Sequence, residues 1–335
     1  MGYVRLGDVA IERNVGNRLY ITCIVKGVDV RPMKSGGESM LFIMKDKDIE
    51  YEARVFSVTQ DTKDLMKNGC VYDITVDVRP YDKGKDGISC IVENGGIVLS
   101  TVKPESFVDW IEDFNVYYDK LSKMMAFVSD SKCGQIACTI INKYWDKFSK
   151  WPAATGMHHT SFGGLLMHTA CVAEGCYNSG MHYNDIYGST FINLKLLVSS
   201  ALLHDVMKTA ELDVDMAEGK VEYSTRAGLE SHIMAIMIEV RMVAKELGFG
   251  DATEVLELEH CLAAHHGQLE YGSPIAPSTP EACILNIIDT EDAEMWRYHK
   301  AFKNMAEHES KTEWIHGNIK VYYRATIGDN GMDKI

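Results

Sequence analysis

Ala201-Leu202-Leu203-His204-Asp205-Val206-Met207-Lys208 sets an imidazole beside a carboxylate at the end of an apolar run. Ionisable groups in such a place are costly to bury unless each is paired or coordinated. Four more places in the same half of the chain repeat the theme. His168 closes Gly163-Gly164-Leu165-Leu166-Met167-His168, and Asp289 closes Ile287-Ile288-Asp289; between them lie His232 and the doublet His265-His266. A single His on an apolar helix is more often a hydrogen-bonded core residue than a ligand, and a lone His-Asp pair arises readily by chance. Five such places in one stretch point instead to a metal centre. Imidazole and carboxylate together suit Mn, Fe, Co, Zn or Ni ions, and a carboxylate can bridge two of them. Adjacent helical residues point about 100° apart, so spacing alone does not bring both members of each pair to one cluster.

Outward from this stretch the spacing is helical. Phe107, Ile111, Phe114, Tyr118 and Leu121 recur at intervals of three and four, and further helices are predicted over 164–179, 192–206, 228–247, 253–266 and 281–303. In the tail from Trp314 to Ile327, Val321-Tyr322-Tyr323 is flanked by turn residues and predicts a short hairpin. The first hundred residues differ. Short runs at Leu19 to Val25, Met40 to Met44, Tyr51 to Phe56, Val71 to Val78 and Ile88 to Val92 alternate with clusters such as Lys34-Ser35-Gly36-Gly37 and Lys67-Asn68-Gly69. Five strands of this kind fit a small closed barrel of the oligonucleotide-binding (OB) type, with a sandwich of similar size as the alternative. The predicted organisation is a multidomain α and β chain. A barrel (1–103) leads through a helical connector (104–157) to an all-α bundle (158–312) and a tail (313–335).

Composition agrees with a globular protein: 335 residues, 46% hydrophobic and 24% charged. No apolar run approaches the ~18 to 20 residues that span a bilayer, and the first sixteen residues lack the apolar block of a signal peptide. No membrane association is expected, and a cytoplasmic location is the default. Nine scattered cysteines without a C-x-x-C support neither a disulfide framework nor a zinc ribbon, and read as reduced core residues. All twelve histidines lie at or beyond His158. Residues 1–103 hold 15 basic and 15 acidic side chains, so the remainder carries the whole net charge of −14. That body offers little simple electrostatic capture of nucleic acid. It suits a site whose carboxylates hold metal ions, which then present positive charge to a phosphate.

The order His168, His204-Asp205, Asp289 resembles the HD-domain superfamily of phosphohydrolases. A closer resemblance is to the YhaM-type 3′–5′ exoribonucleases. It is carried by Trp151-Pro152-Ala153-Ala154 through His158-His159, by Gly163-Gly164-Leu165-Leu166 with His168-Thr169, and by Ala201-Leu202-Leu203-His204-Asp205. His232-Ile233, His265-His266-Gly267, Glu270-Tyr271-Gly272-Ser273-Pro274 and Glu281-Ala282 extend it over most of the chain. Two positions depart from the family's pattern: Met207 stands where Gly is common, and Ser231 precedes the middle His where Gly often does. Neither removes a ligand.

The resemblance implies an N-terminal OB domain, a C-terminal HD domain and two divalent ions, with Mn²⁺ first and Co²⁺, Fe²⁺, Ni²⁺ or Zn²⁺ as alternatives. It assigns His168, His204, Asp205 and Asp289 to one ion. Asp205 bridges to a second ion completed by His232 and His265, with His266 a ligand or a phosphate contact. The implied chemistry is a di-metal-activated hydroxide attacking a phosphodiester. Lys208 either adds charge to that phosphate or is an ordinary solvated lysine.

Three functions are compatible with these residues. The first is 3′–5′ hydrolysis of single-stranded RNA, or DNA, by a chain that can form homo-oligomers. His159, Lys208, Arg31 and Lys34 are its candidate substrate contacts, with Lys45, Arg54 and Phe56 as further barrel residues. The second keeps the metal site but takes a small nucleotide, such as a cyclic or linear signalling oligonucleotide. The third is a non-enzymatic single-strand binder with an idle bundle, which the intact ligand set disfavours.

Overall fold

The computed structural model describes residues 2–47, 49–82, 84–107, 110–154, 161–215, 220–303, 305–306, 309–312 and 321–325. The chain divides into two compact units, Met1–Trp110 with Asp213–Glu222 and Ile111–Leu212 with Tyr223–Ile335.

In the first unit, alternation of apolar and polar residues produces strands with one face inward. Along β3 (Glu38–Asp46), Met40, Phe42 and Met44 are buried while the residues between them are only partly covered. β3 lies antiparallel between β2 (Arg18–Pro32) and β4 (Ile49–Val55). After α1 (Gln60–Leu65), β5 (Val71–Pro80) pairs antiparallel with both β2 and β6 (Ile88–Leu99). β6 runs parallel to β4 through Ala53↔Cys90 and Val55↔Val92. The order β2-β3-β4-β6-β5 therefore returns to β2, closing a five-stranded OB-like barrel. A two-residue strand, β1 (Val4–Arg5), is parallel to β2 at Ile21 and Thr22. The interior is filled by Ile21, Phe42, Tyr72, Ile74 and their neighbours. β2 and β6 run past the predicted ends at Val25 and Val92.

The second unit is helical. α2 (Phe114–Val128), α3 (Lys132–Phe148), α4 (Gly164–Tyr187), α5 (Leu194–Leu203), α7 (His232–Glu246), α8 (Thr253–Ala264) and α9 (Pro280–Lys303) follow in order. Between α5 and α7 the chain makes the short α6 (Lys208–Glu211) and a two-stranded sheet of β7 (Leu212–Asp215) and β8 (Lys220–Tyr223), of which Asp213–Glu222 is grouped with the first unit. The predicted all-α bundle does not include this sheet. α2 and α3, from the segment expected to connect the two parts, contribute Leu121, Ile136, Ile140 and Phe148 to one core with Leu165, Leu202, Ile236 and Leu262. In the tail, the described residues include an isolated bridge between Lys311 and Tyr323; residues 314–320 and 326–327 of the expected hairpin lie outside the described ones. No helix among the described residues is long and apolar enough to cross a membrane.

Candidate metal centre

The two ligand-type doublets stand just past helix ends. α5 stops at Leu203, so His204 and Asp205 occupy the turn leading to α6. α8 stops at Ala264, and His265-His266 begin the turn after it. His204 and His265 keep helical backbone angles as the C-caps of their helices, so each doublet meets the centre from the end of a helix and not from its side. His168 projects from α4, and Asp289 from the middle of α9. His232 is the first residue of α7, whose N-cap Ser231 accepts a hydrogen bond from the Met234 N–H. Ser231 thus has a local structural role, and Met207 is buried in the helical core.

The side chains form two adjacent triads. Ligand-type atoms of His168, His204 and Asp289 lie within 4.8 Å of one another, as do those of His232, His265 and His266. The Asp205 carboxylate touches both groups. Its Oδ2 is 3.3 Å from His168 Nε2 and 3.4 Å from His204 Nε2, and its Oδ1 is 3.6 Å from His232 Nε2. Asp289 Oδ1 lies 3.2 Å from His168 Nε2 and 3.7 Å from His204 Nε2. His168, His204 and His265 are fully buried and Asp205 is 2% exposed, whereas His266 is only partly covered.

Each ring is tethered through Nδ1. His204 Nδ1 donates to the Ala201 carbonyl (2.8 Å), His265 Nδ1 to that of Leu262 (2.7 Å) and His266 Nδ1 to that of Tyr271 (2.8 Å). A carbonyl only accepts, so Nδ1 carries a proton, and in the neutral tautomer this leaves the lone pair on Nε2. The other two rings meet carboxylates, His168 Nδ1 with Asp292 Oδ2 at 2.7 Å and His232 Nδ1 with Glu211 Oε2 at 3.0 Å. Such outer partners orient metal-binding imidazoles. Asp292 and Glu211 were not among the sequence-predicted residues. Asp292 stands three residues beyond Asp289 and Glu211 three beyond Lys208, a spacing too common in an acidic chain to single them out.

Electrostatics favour the ligand forms at several positions. Burial would raise the Asp205 pKa, but the Lys208 ammonium and the His204 and His168 imidazoles hold it well below the usual carboxylate range. Asp289 is likewise lowered: hydrogen bonding to His168 and the neighbouring imidazoles outweigh burial. Burial pushes His265 and His266 down and keeps them neutral, helped by neighbouring imidazoles. His168 goes the other way. Burial opposes its charge, but Asp205, Asp289 and Asp292 raise its pKa well above the ordinary value. Lys208 Nζ lies 2.7 Å from Asp205 Oδ2; burial disfavours its charge, and Asp205 more than offsets this.

These residues fit metal binding. Asp205 Oδ1, His232 Nε2 and His265 Nε2 are buried and have no hydrogen-bond partner among the described residues, an arrangement that costs free energy unless something coordinates them. Ligand bonds of about 2.0 to 2.2 Å place neighbouring donors roughly 3.0 to 3.5 Å apart around one ion. The spacings about His168 and His204, 3.1 to 3.7 Å, are close to that range.

The remaining predicted positions lie elsewhere. Arg31 is on β2 of the barrel with its Nε 2.6 Å from Asp29 Oδ2, and Lys34 is exposed in the β2–β3 turn. Lys45 Nζ is 3.8 Å from Glu50, and the Arg54 guanidinium lies 5.8 Å from the centroid of the exposed Phe56 ring. His159 is outside the described residues.

Comparison with known proteins places this centre in a family context. Residues 165–294 match the HD domain family, a span that includes every residue of both triads together with Asp205, Glu211 and Asp292. The chain is 26% identical to the 3′–5′ exoribonuclease YhaM of Bacillus pumilus (strain SAFR-032), over 94% of this chain and 97% of that protein. It is 27% identical to the protein of the same name from Listeria monocytogenes serotype 4b (strain CLIP80459), over 90% and 91%. For that of Oceanobacillus iheyensis the figures are 24%, 95% and 97%.

Proposed function

We propose that this chain, with its HD domain at 165–294 and an OB-like barrel before it, is a metal-dependent 3′–5′ exoribonuclease acting on single-stranded RNA. The observation that carries the reading is the Asp205 carboxylate, which reaches His168 and His204 through one oxygen and His232 through the other. A carboxylate so placed is suited to bridge two ions.

In this reading His168, His204, Asp205 and Asp289 hold one divalent ion, and Asp205, His232, His265 and His266 hold the other. Two Mn²⁺ ions are the proposed occupants. Bound there, they supply the positive charge that polarises a phosphodiester and acidifies an attacking water. The protein's own groups do the rest. Asp292 and Glu211 keep the His168 and His232 rings turned with Nε2 toward the centre. The tethered Nδ1 atoms of His204, His265 and His266 do the same, so little reorganisation accompanies the reaction. Lys208, on the Asp205 carboxylate, is placed to contribute charge to a phosphate at the same spot. On the barrel, the β2–β3 loop and the outward face of the second and third barrel strands are the surfaces that OB folds use for oligonucleotides. Arg31 and Lys34 lie at that loop, and Arg54 and Phe56 at the end of that face, so these are the proposed strand contacts.

The test is a 5′-labelled single-stranded RNA incubated with Mn²⁺, beside His204→Ala and Asp205→Ala controls. Stepwise shortening from the 3′ end, abolished by chelator and by either substitution, is expected. An intact RNA alongside chelator-sensitive hydrolysis of a dinucleotide or cyclic dinucleotide would overturn the proposal.

A further inference from the structure

The turn after His266 is built as tightly as the centre itself. Gln268 N donates to His266 O (3.0 Å), and Tyr271 N and Ser273 N donate to Gln268 O (3.1 and 3.2 Å). Residues Leu269–Tyr271 form one 3-10 turn, closed by Gly272 at φ +94°, a conformation that favours glycine. The carbonyl of Tyr271 then accepts the Nδ1 proton of His266. The main chain of Tyr271 is therefore one hydrogen bond from an imidazole of the centre, and that imidazole is the least buried of the five. The side chain is free of such ties: Tyr271 is 65% exposed and its ring makes no hydrogen bond or ring contact among the described residues. A hydrogen-bonded turn thus anchors the main chain of a residue with an exposed aromatic side chain to the least buried imidazole of the metal-type cluster.

We propose that Tyr271 is a stacking platform for a nucleobase, the 3′-terminal base of the strand whose phosphate is presented at His266. The proposal rests on the exoribonuclease reading and names the substrate group that this edge of the site takes. Two further considerations favour it. Every base has a π-face, so stacking on an aromatic ring grips any sequence, as an enzyme that removes successive nucleotides requires. The part of the chain beyond residue 103 carries a net charge of −14, so phosphate contacts alone offer it little affinity. Stacking needs no positive surface.

The test compares two labelled RNA oligomers of the same length, one ending in an ordinary 3′-nucleotide and one whose terminal residue is abasic, with Mn²⁺-loaded full-length protein. Wild type should process the abasic oligomer about tenfold less efficiently in kcat/KM. Tyr271→Ala should lose about tenfold on the ordinary oligomer and no longer distinguish the two, with unchanged metal content. Tyr271→Phe, which keeps the ring, should restore the distinction. A Tyr271→Ala enzyme that still prefers the ordinary end as strongly as wild type would overturn the stacking role while leaving the exoribonuclease reading intact. A wild type that shortens neither oligomer would remove both.

Discussion

His168 and His204 bring their Nε2 atoms to 3.1 Å, on rings whose Nδ1 atoms already engage Asp292 and the Ala201 carbonyl. Two lone pairs at that distance repel unless a positive charge lies between or beside them. The surrounding carboxylates raise the His168 pKa and so favour a positive charge there; in the proposed metal-bound state a cation would take that place.

Asp205→Asn should separate the two halves of the centre. The amide keeps the size of the carboxylate but loses the charge that serves both triads. Metal stoichiometry should fall from two to one or none, and RNA hydrolysis by more than about 100-fold, beyond the usual effect of an outer-shell change. Elemental analysis beside single-turnover kinetics measures both. Full loading with near-normal turnover would show that Asp205 bridges nothing.

Lys208→Met should separate charge from packing. Its ammonium lies on the same Asp205 oxygen that faces His168 and His204, so it competes with a cation for that oxygen. Metal affinity should hold or improve, while turnover falls by on the order of 100-fold as a donor to the phosphate is lost. Metal titrations and kcat measured on one preparation check this. Weaker metal binding with unchanged kcat would assign Lys208 to structure alone.

Glu211→Gln and Asp292→Asn should each weaken metal affinity or activity by about 10- to 100-fold. Each leaves the ligand atom in place but loosens the ring that carries it. Raising the metal concentration should restore much of the rate in either variant. A rate that is low and indifferent to added metal would point to a different role for the carboxylate.

Gly267→Ala tests the turn that positions His265 and His266. Gly267 has φ +80°, and an added Cβ would come within 2.7 Å of the Asn286 side chain, which itself donates to the His265 carbonyl at 2.8 Å. Backbone strain and the clash together should cost about 1 to 3 kcal/mol, read as a fall in thermal midpoint. In the Asn286→Ala background the clash disappears and the penalty should shrink, although Asn286→Ala alone loses its hydrogen bond. An equal penalty in both backgrounds would remove the packing argument.

Much of this architecture is legible in the sequence, and the exceptions have physical causes. The alternation of Met40, Phe42 and Met44 marks β3 because one barrel face is buried. β2 and β6 outrun their predicted ends because glycine, ordinarily a strand breaker, is used inside them. Gly27, at φ +62°, sits at the register shift between Lys26 and Asp29, and Gly95-Gly96 carry β6 on to Leu99. α4 likewise continues past Ser179 because Gly180 meets Leu194, where a Cβ would come within 2.6 Å. β1, β7 and β8 are too short to leave a periodic signal.

The metal-type residues were visible because imidazole and carboxylate on apolar runs are conspicuous, and the structure gathers all seven predicted ligand positions. What the sequence leaves silent is the second layer. Glu211 and Asp292 read like the many solvated carboxylates of an acidic chain, and only tertiary packing reveals that each faces a histidine. The Nδ1-to-carbonyl tethers have no side-chain signature at all.

The most direct test is anomalous diffraction from crystals of the full chain grown with Mn²⁺. The account predicts two peaks, one among His168, His204, Asp205 and Asp289 and a second among Asp205, His232, His265 and His266, both lost in Asp205→Ala. A fully ordered centre with no peak in either place, at Mn²⁺ concentrations that support RNA hydrolysis, would contradict it.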